Sequence, residues 1–313
     1  MKIIIFYFTG SGNTGKIINE FKTHFEADGH NVDLIQIENQ LYKPDKKIDV
    51  NLNDYDLIGI GYPVHAFNAP EIVLKWAKSI DKLDETKRAF IINDSAEPMN
   101  LNNISSIKLS KILKKKGLDI QNEYHYLMPY DMIYRHKQKM AYTMWETSKK
   151  RISIEYKDIL NGTPSKLEHV PCGALFAWIM RIQHFGAKFN GVFYRVDKNK
   201  CIKCNKCVNN CPMNNIKRVD DKLKFGTHCS MCQRCTTYCP TDAIKSGLFA
   251  TWRVNTPYSF KATDDENVYD KPMTKKEQKR ADFYNSFWCK SAYKEYFSEL
   301  EKRFSDLDQS DTD

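Results

Sequence analysis

The sequence lacks a long hydrophobic run, and this absence excludes a membrane-spanning helix. Its 313 residues have a mean hydropathy of -0.59. The longest apolar run, Gly173 to Met180, is far shorter than the roughly 20 residues that cross a bilayer. A signal peptide is not expected either, because few apolar residues follow Lys2 and no small-residue cleavage pattern comes after them. We therefore expect a cytoplasmic protein.

The sequence also lacks a Gly-x4-Gly-Lys-Ser/Thr loop, a second nucleotide fingerprint and a DNA-binding motif. These absences argue against a Walker-type nucleotide site, direct oxidation of NAD(P)H and a nucleic-acid partner. The charge excess is modest, with 48 basic and 39 acidic residues, and the lysine runs lie at helix-like positions typical of solvated faces. Because 42% of the residues are hydrophobic, disorder over most of the chain is excluded.

Short apolar runs alternate with longer amphipathic stretches from Lys2 to Leu160. This alternation predicts an α/β fold in which helices cover a parallel sheet. The predicted strands are Lys2 to Phe8, Asn31 to Ile37, Tyr55 to Gly61, Arg88 to Asn93 and Glu123 to Leu127. The predicted helices are Thr14 to Ala27, Ala69 to Ser79, Ser105 to Lys116 and His136 to Leu160. We expect a doubly wound, five-stranded parallel sheet of order 2-1-3-4-5, one of the two common solutions.

Breaks in these patterns mark the predicted divisions of the chain. Gly162 and Pro164 interrupt the last helix, so the sheet domain should end there. The predicted segments are the sheet domain (1–162), an aromatic-rich connector (163–195), a small cysteine-rich α+β domain (196–250), a C-terminal extension (251–304) with one helix from Met273 to Phe304, and an acidic disordered tail (305–313). The connector should pack against both domains, with attachment to a membrane surface as the alternative.

Eight of the ten cysteines form two copies of Cys-x2-Cys-x2-Cys-x3-Cys-Pro that are offset by 28 residues. In a reducing compartment such dense thiols usually hold metal. Three closely spaced thiolates can hold three corners of one 4Fe-4S cluster, and the fourth reaches the other cluster. The resulting ligand sets are Cys201, Cys204, Cys207 and Cys239 for the first cluster, and Cys229, Cys232, Cys235 and Cys211 for the second. Two structural zinc sites are the alternative, although zinc ribbons use paired Cys-x2-Cys knuckles.

The cysteine segment resembles a bacterial-type dicluster ferredoxin. Its second half, Cys239 to Ile244, matches that family residue by residue, whereas Asn215 stands in the first half where a small residue is common. The resemblance implies two 4Fe-4S clusters. Cys172 and Cys289 have no partner spacing, so we expect them to be buried and unligated.

A hydroxyl- and glycine-rich turn lies between the first predicted strand and the first predicted helix. Such a turn directs backbone N–H groups and hydroxyls at one point, near the positive end of the helix dipole, and can bind a phosphate without lysine or arginine. Its residues are Thr9, Gly10, Ser11, Gly12, Asn13 and Thr14. An unliganded tight turn is the alternative.

The phrase from Phe8 to Thr14 resembles the FMN phosphate loop of flavodoxins, and the rhythm of strands over the sheet domain resembles them too. The resemblance implies a flavodoxin-like fold, and it implies that two further loops flank the flavin ring. Those loops contain Tyr62, Pro63, Val64, His65, Ala66, Phe67 and Asn68, and Asn93, Asp94, Ser95 and Ala96. Tyr62, His65 or Phe67 could stack on the ring, or could instead anchor the loop in the core.

Together the two halves resemble the flavodoxin–ferredoxin fusion family, which implies FMN, two 4Fe-4S clusters and an oxidoreductase that couples one-electron carriers to two-electron chemistry. A redox partner protein, a ferredoxin-type carrier or a reductase, should dock near the cluster domain. A flavin-dependent reductase of a small molecule is the alternative, with Tyr130, Tyr134 and Arg135 as candidate catalytic residues that could instead close the domain interface. A redox-sensing module has no supporting motif.

Overall fold

The computed structural model describes residues 1–252, 254–287 and 290–310. A five-stranded parallel sheet of order β2-β1-β3-β4-β5 forms its N-terminal half, which confirms the predicted flavodoxin-like fold and strand order. The strands are β1 (Lys2–Tyr7), β2 (Asn31–Gln36), β3 (Leu57–Pro63), β4 (Lys87–Ser95) and β5 (Leu118–Leu127).

Helices cover both faces of this sheet because β1 and its neighbours are apolar on both sides. Ile4 and Phe6 pack with the helices that follow β2, β3 and β4 on one face. Ile3 and Ile5 pack with the helices that follow β1 and β5 on the other. A parallel strand buried on both faces reads as a continuous apolar run. The helices are α1 (Asn13–Ala27), α2 (Ile37–Tyr42), α3 (Glu71–Ser79), α4 (Ile107–Lys115) and α5 (Gln138–Asn161).

The last strand, β5, is longer than the sequence indicated. It begins at Leu118, five residues before the predicted start at Glu123. Asp119 is exposed while Ile120 is buried, so the first half of β5 alternates as a strand with one solvated face. The pairing also shifts between Ala89 and Phe90 of β4, which breaks the simple pattern.

The cysteine-rich segment folds as two small repeats. Short helices α8 (Lys206–Asn209) and α9 (Arg234–Thr237) stand 28 residues apart, as the cysteines do. The strands of this segment are β6 (Arg195–Val196), β7 (Ile216–Val219), β8 (Lys222–Phe225) and β9 (Ile244–Lys245). β6 pairs with β9, and β7 pairs with β8, both antiparallel. The ends of the segment are therefore tied together around the cysteines.

The connector forms two helices, α6 (Gly173–Met180) and α7 (Ile182–Gly191). Small residues such as Ala177 and Ala187 face the body of the protein, while large apolar residues face outward. The expectation that the connector's aromatic residues fill an interface is therefore wrong for its outer face. Its small residues allow close approach to both domains and leave no room inside for the large ones. None of the helices in the described residues is long and apolar enough to cross a membrane.

The C-terminal extension contains two helices, α10 (Lys275–Phe287) and α11 (Lys290–Ser310), where one helix was predicted. Helix α11 extends through the start of the predicted disordered tail, because Leu300, Phe304 and Leu307 continue the helical spacing. Cys289 lies outside the described residues, so the expectation that its thiol is buried has no structural counterpart.

Cys172 is exposed, contrary to the expectation for its thiol. It occupies the left-handed position just before α6, with a φ of 57°. This turn runs along the surface between the sheet domain and the connector helices, so it offers no apolar pocket to the sulfur.

The extension is fastened to the sheet domain through Arg135. The Arg135 guanidinium donates to Asp270 over 2.6 Å, and both side chains are 3% exposed. The same guanidinium donates to the backbone carbonyls of Asn255, Thr256 and Pro257. Arg135 therefore binds the extension. These contacts support the alternative expectation for Arg135, that it closes an interface, rather than a catalytic role.

Removing the Arg135 guanidinium should destabilise the protein strongly. We expect Arg135→Ala to lower the free energy of unfolding by about 3 kcal/mol, because Asp270 and three carbonyls would lose their donor in a buried site. Urea denaturation followed by circular dichroism measures this change. The control is Lys139→Ala, which removes an exposed pair with Glu266 and should cost less than about 1 kcal/mol. Equal effects of the two substitutions would contradict the interpretation.

Candidate functional site

A cavity of about 370 Å³ lies at the carboxyl ends of β3, β4 and β5, where doubly wound sheets bind their ligands. Its volume lies within the range of small-molecule sites. Four segments line it: loops of the sheet domain, helix α7 of the connector, the second cysteine loop, which we define as residues 229–235, and the start of the C-terminal extension at Trp252. The lining residues from the sheet domain include Asn13, Pro63, Val64, His65, Ala66, Phe67, Asp94, Ser95, Ala96, Glu97, Tyr130 and Asp131.

The turn before α1 has features of an anion site. Gly12, the residue before the helix, adopts a φ of 111°, which turns the chain sharply into α1. The hydroxyl oxygen of Thr9 is buried with no hydrogen-bond partner among the described residues. Asn13 donates its side-chain amide to the Pro129 carbonyl over 2.8 Å and lines the cavity. An orphaned hydroxyl beside a helix N-terminus fits a phosphate group.

Two carboxyl groups form hydrogen bonds with this turn. Thr14 donates its hydroxyl to Asp94 over 2.5 Å, and Ser11 hydrogen-bonds Asp131. Burial raises the pKa of Asp94 to about 7, with Asp131 adding in the same direction. Burial raises the pKa of Asp131 to about 6. Protonated carboxyls tolerate a neighbouring anion, and ionised ones repel it, so the turn fits a phosphate better below pH 7 than above it.

The raised pKa of Asp94 makes stability depend on pH. The Asp94 carboxyl loses its proton near pH 4 in the unfolded chain but only near pH 7 in the folded chain. The free energy of unfolding should therefore fall as the pH rises between these values. We expect Asp94→Asn to be more stable than the parent at pH 8, by on the order of 2 kcal/mol, and equal to it near pH 4. Urea unfolding across this pH range measures the difference. Asp45→Asn, at an exposed site, is the control, and a pH-independent gap would overturn the interpretation.

The loop after β3 holds two of the candidate stacking residues in a tight turn. Ala66 and Phe67 have φ values of 51° and 60°, and His65 and Asn68 exchange backbone hydrogen bonds on either side of them. Left-handed conformations in non-glycine residues cost free energy and persist at ligand sites. His65 and Phe67 line the cavity, so they remain candidates for stacking.

Tyr62 and Asn68 do not reach the cavity. The Tyr62 ring is 0% exposed within the core beside α3, and its hydroxyl lies 3.4 Å from that of Ser105. Asn68 donates to the carbonyls of Ala66 and Ala177, which ties the loop to the connector. Tyr62 is therefore a core anchor, because alternate residues of a strand face opposite sides and its side faces the helices.

Of the second predicted loop, Asp94, Ser95 and Ala96 line the cavity. Asn93 is 0% exposed and lies deeper in β4. Ser95 contacts His125 over 2.7 Å, within the sheet domain.

The candidate catalytic tyrosines differ in position. Tyr130 lines the cavity and donates its hydroxyl to Glu97. Tyr134 packs against Ala96 and Tyr130 in a small cluster and stacks on Tyr284. Only Tyr130 of the three candidates therefore reaches the cavity.

The sequence analysis did not find the cavity residues contributed from outside the sheet domain. These are Gln183, His184 and Ala187 of α7, Ser230 and Met231 of the second cysteine loop, and Trp252 of the C-terminal extension. His184 has a buried, unpartnered Nε2 among the described residues, and burial lowers its pKa. Burial also lowers the pKa of His65 to about 4, helped by His184. Both rings are therefore neutral at pH 7. No spacing in the sequence indicated this pairing, because 118 residues separate the two histidines.

The eight repeat cysteines surround two small voids in the predicted crossed sets. One void is lined by Cys201, Cys204, Cys207 and Cys239. The other is lined by Cys211, Cys229, Cys232 and Cys235. Each set of four thiols surrounds a space, and four thiolates around a common centre are the donor set of a 4Fe-4S cluster.

Both cysteine loops repeat the same backbone geometry. Positive φ values occur at Lys203 and Asn205, and again 28 residues later at Met231 and Gln233. The N–H of Asn215 donates to the Cys211 sulfur, and that of Ala243 donates to the Cys239 sulfur, each over 3.3 Å. Such N–H···S bonds stabilise thiolates and tune cluster potentials.

Burial favours the neutral form of the thiols around the second void. It raises the pKa of Cys229 to about 12 and that of Cys232 to about 11. A bound metal centre supplies the positive charge that thiolates require in such a place.

Arg234 joins the two domains at this point. Its guanidinium pairs with Glu38 over 2.5 Å, and it also donates to the carbonyls of Thr9 and Asn210. Both side chains of the pair are at most 10% exposed. Tyr238 adds a bond from its hydroxyl to the Ser11 carbonyl over 2.9 Å. The anion turn is therefore held directly against the second cysteine loop.

Glycine at position 10 permits this contact. A Cβ atom at Gly10 would lie 2.3 Å from the carbonyl oxygen of Cys232, which is shorter than any real contact. We expect Gly10→Ala to lower the free energy of unfolding by about 1–3 kcal/mol, because one of the two loops must shift. Gly186→Ala is the control: its Cβ would meet nothing within 4 Å, and a helical Gly-to-Ala change is neutral or stabilising. Thermal unfolding of both variants measures the effect. If Gly10→Ala were as stable as the parent, the interpretation that only glycine fits between the two loops would be wrong.

Comparison with known families agrees with this architecture. The family model described as a flavodoxin domain matches residues 4–153, and the one described as a 4Fe-4S binding domain matches residues 194–216. The chain therefore carries a flavodoxin domain. C-terminal to it lies a 4Fe-4S ferredoxin-type domain, the combination found in a flavodoxin–ferredoxin fusion. The second cysteine loop lies beyond the matched residues.

Solved structures similar to this chain include several flavoproteins. Flavodoxin 2 from Bacillus cereus in its oxidised form is 20% identical, with 51% of this chain and 99% of that chain covered and a TM-score of 0.36. The flavodoxin of Streptococcus pneumonia TIGR4 is 10% identical, with 51% and 99% covered and a TM-score of 0.38. A putative quinone reductase from Klebsiella pneumoniae is 13% identical, with 52% and 86% covered and a TM-score of 0.39. No curated protein matches the chain.

Gly10, Gly12 and Gly15 also have the Gly-x-Gly-x2-Gly spacing of dinucleotide-binding turns. The strand order differs from that of dinucleotide-binding folds, in which β1 lies between β2 and β4. Those folds also use an acidic residue after β2 to hold a ribose. Here the acidic residue after β2, Glu38, is buried and paired with Arg234. The turn therefore fits a mononucleotide better than a dinucleotide.

Proposed function

We propose that this protein is an iron–sulfur flavoprotein oxidoreductase that carries electrons between two 4Fe-4S clusters and FMN. The flavodoxin and 4Fe-4S domains support an electron-transfer protein that uses FMN and iron–sulfur centres. When bound, clusters exchange single electrons and a flavin exchanges one or two. The proposal therefore couples one-electron carriers to a two-electron acceptor or donor.

The observation that carries the proposal is the shared wall between the two kinds of site. Ser230 lines both the cavity of the flavodoxin loops and the void of the second cysteine set. The residues proposed to hold the flavin ring and those proposed to hold the second cluster are thus adjacent, with no intervening element. Adjacency of this kind suits the transfer of electrons within one chain.

The chain's own residues would hold and shield these groups. The turn from Thr9 to Thr14 would offer its backbone N–H groups and the unpartnered Thr9 hydroxyl to the FMN phosphate. His65 and Phe67 would offer ring faces to the flavin. Helix α7 and the second cysteine loop add walls to the cavity that the sheet-domain loops do not supply. Water that these walls keep out of the cavity would otherwise weaken the electrostatic interactions inside.

The first cysteine set is proposed as the entry point for a redox partner. Cys204 is exposed, whereas Cys211 and Cys232 of the second set are buried. Exposed lysines flank the first set along the chain, and one of them, Lys203, is paired with Asp221. They are Lys198, Lys200, Lys203, Lys206, Lys217, Lys222 and Lys224. A partner with an acidic docking face, such as a ferredoxin-type carrier, would be attracted to this surface.

A flavin-dependent reductase of a small molecule is the second candidate. It is favoured by the unpartnered Nε2 of His184 in the cavity wall and by Tyr130, whose hydroxyl is held by Glu97. Turnover of a small molecule by the isolated chain with an artificial reductant would favour this reading over pure electron transfer.

Cysteine substitutions test the two-cluster proposal and its crossed ligands together. The purified chain should contain one FMN and about eight irons, all bleached on anaerobic reduction. We expect Cys211→Ala to lose the second cluster and to retain about four irons, because its sulfur completes the set next to the cavity. Cys239→Ala should lose the first cluster instead and leave the centre beside the flavin intact.

Cys172→Ala is the matched control, since Cys172 is exposed and belongs to neither set. It should retain all iron and flavin. Iron, sulfide and flavin are quantified on the same samples as the visible spectra. Zinc in place of iron, or a protein without flavin after reconstitution, would refute the proposal.

A further inference from the structure

The connector helices carry a continuous apolar surface that nothing in the described structure covers. We define this apolar ridge as Leu175, Trp178, Ile179, Ile182, Phe185 and Phe189, each between 52% and 72% exposed. Their spacing of three, one, three, three and four residues places them along one side of α6 and α7. Soluble proteins rarely expose so large a contiguous apolar patch unless it binds something.

Packing fixes the ridge on the outside. A Cβ atom at Gly173 would lie 2.5 Å from the Ile104 side chain, and one at Gly191 would lie 2.4 Å from the Cys229 Cβ. Ala177, between these two glycines in the chain, is 2% exposed, and its carbonyl accepts a hydrogen bond from Asn68. The inner side of the helices thus approaches both domains too closely to accept large side chains. The helices cannot rotate to bury the ridge without losing these contacts.

The charges carried by the connector helices are of one sign. No Asp or Glu occurs between His169 and Val196, whereas Arg181 lies between α6 and α7 and Lys188 lies within α7. Burial is the main cause of the lowered pKa of Lys108, and the positive charges of Arg181 and Lys78 lower it further. These three cations therefore lie close together. The acidic group beside α7, Glu71, is paired with both Lys188 and Lys75.

We infer that the apolar ridge docks the protein on the surface of an anionic lipid bilayer. A helix with Trp, Phe, Leu and Ile on one side and cations at its margins lies in the plane of a bilayer, with its apolar side among the acyl chains. Lipid deforms around an apolar surface of any shape, so the ridge needs no partner with a matching groove. The Lys188 ammonium lies 5.6 Å from the Phe185 ring, at the margin of the ridge, where it is paired with Glu71.

Docking would bring the cavity close to the lipid. The inner side of α7 supplies Gln183, His184 and Ala187 to the cavity wall, so one helix, about 10 Å across, separates the cavity from the docked surface. The docking itself does not depend on the proposed cofactors, and it is measured without reference to them.

Vesicle flotation of the full-length protein tests the inference. The vesicles contain phosphatidylcholine with about one third phosphatidylglycerol, or phosphatidylcholine alone. We expect the parent to float with the anionic vesicles and to bind less at high salt and to neutral vesicles. Ile182→Ser/Phe185→Ser should weaken this partitioning at least about tenfold. Both side chains are at least 70% exposed, so the variant should fold as the parent does.

The matched control is Ile48→Ser/Phe283→Ser, which removes the same two residue types at exposed sites outside the connector. It should float like the parent, and circular dichroism should be the same for all three proteins. Absence of flotation, or equal flotation of the two variants, would overturn the inference. So would a dimer in sedimentation velocity that the ridge variant alone dissociates, because the ridge would then bind a second copy of the chain.

Discussion

The contact between the turn before α1 and the second cysteine loop is the constraint on which the rest of the structure depends. The two backbones approach so closely that only glycine fits at position 10, and Arg234 bridges them with its guanidinium. Because of this contact, the cavity of the flavodoxin domain acquires a wall from the cysteine-rich domain. The candidate site for a flavin is therefore a property of the fusion and not of either domain alone.

Burial at this junction decides the state of its ionisable groups. Arg234 keeps its charge beside Glu38, whereas Asp94 and Asp131 have raised pKa values and the histidines at the cavity have lowered ones. A buried group that has a partner of opposite charge keeps its charge, whereas burial favours the neutral form of a group without one. The anion turn thus lies beside one paired cation, Arg234, and beside two carboxyls that are both protonated only below about pH 6. The cysteine sets would receive their compensating charge from metal.

The segments outside the two recognised domains brace the site. Tyr293 of α11 donates its hydroxyl to the Ala96 carbonyl over 2.6 Å, in the loop that lines the cavity. Helix α7 lines the same cavity with its inner side and presents the apolar ridge with its outer side. Both contacts join residues that are distant in the chain, and both limit the freedom of the loops at the carboxyl ends of the strands. A movement of the connector would therefore change the wall of the cavity.

The sequence by itself determined what depends on neighbours along the chain. Alternation of apolar runs indicated the five strands, because that pattern has a short period. The strand order was expected as one of two common solutions, and the spacing of the cysteines in the repeat indicated which four would share a void. Only the tertiary structure decided that Tyr62 is a core anchor, that Arg135 binds Asp270, and that His184 enters the cavity. It also decided that the connector's large side chains face outward. A side chain's partner across the fold depends on packing between distant segments, and no local period encodes that.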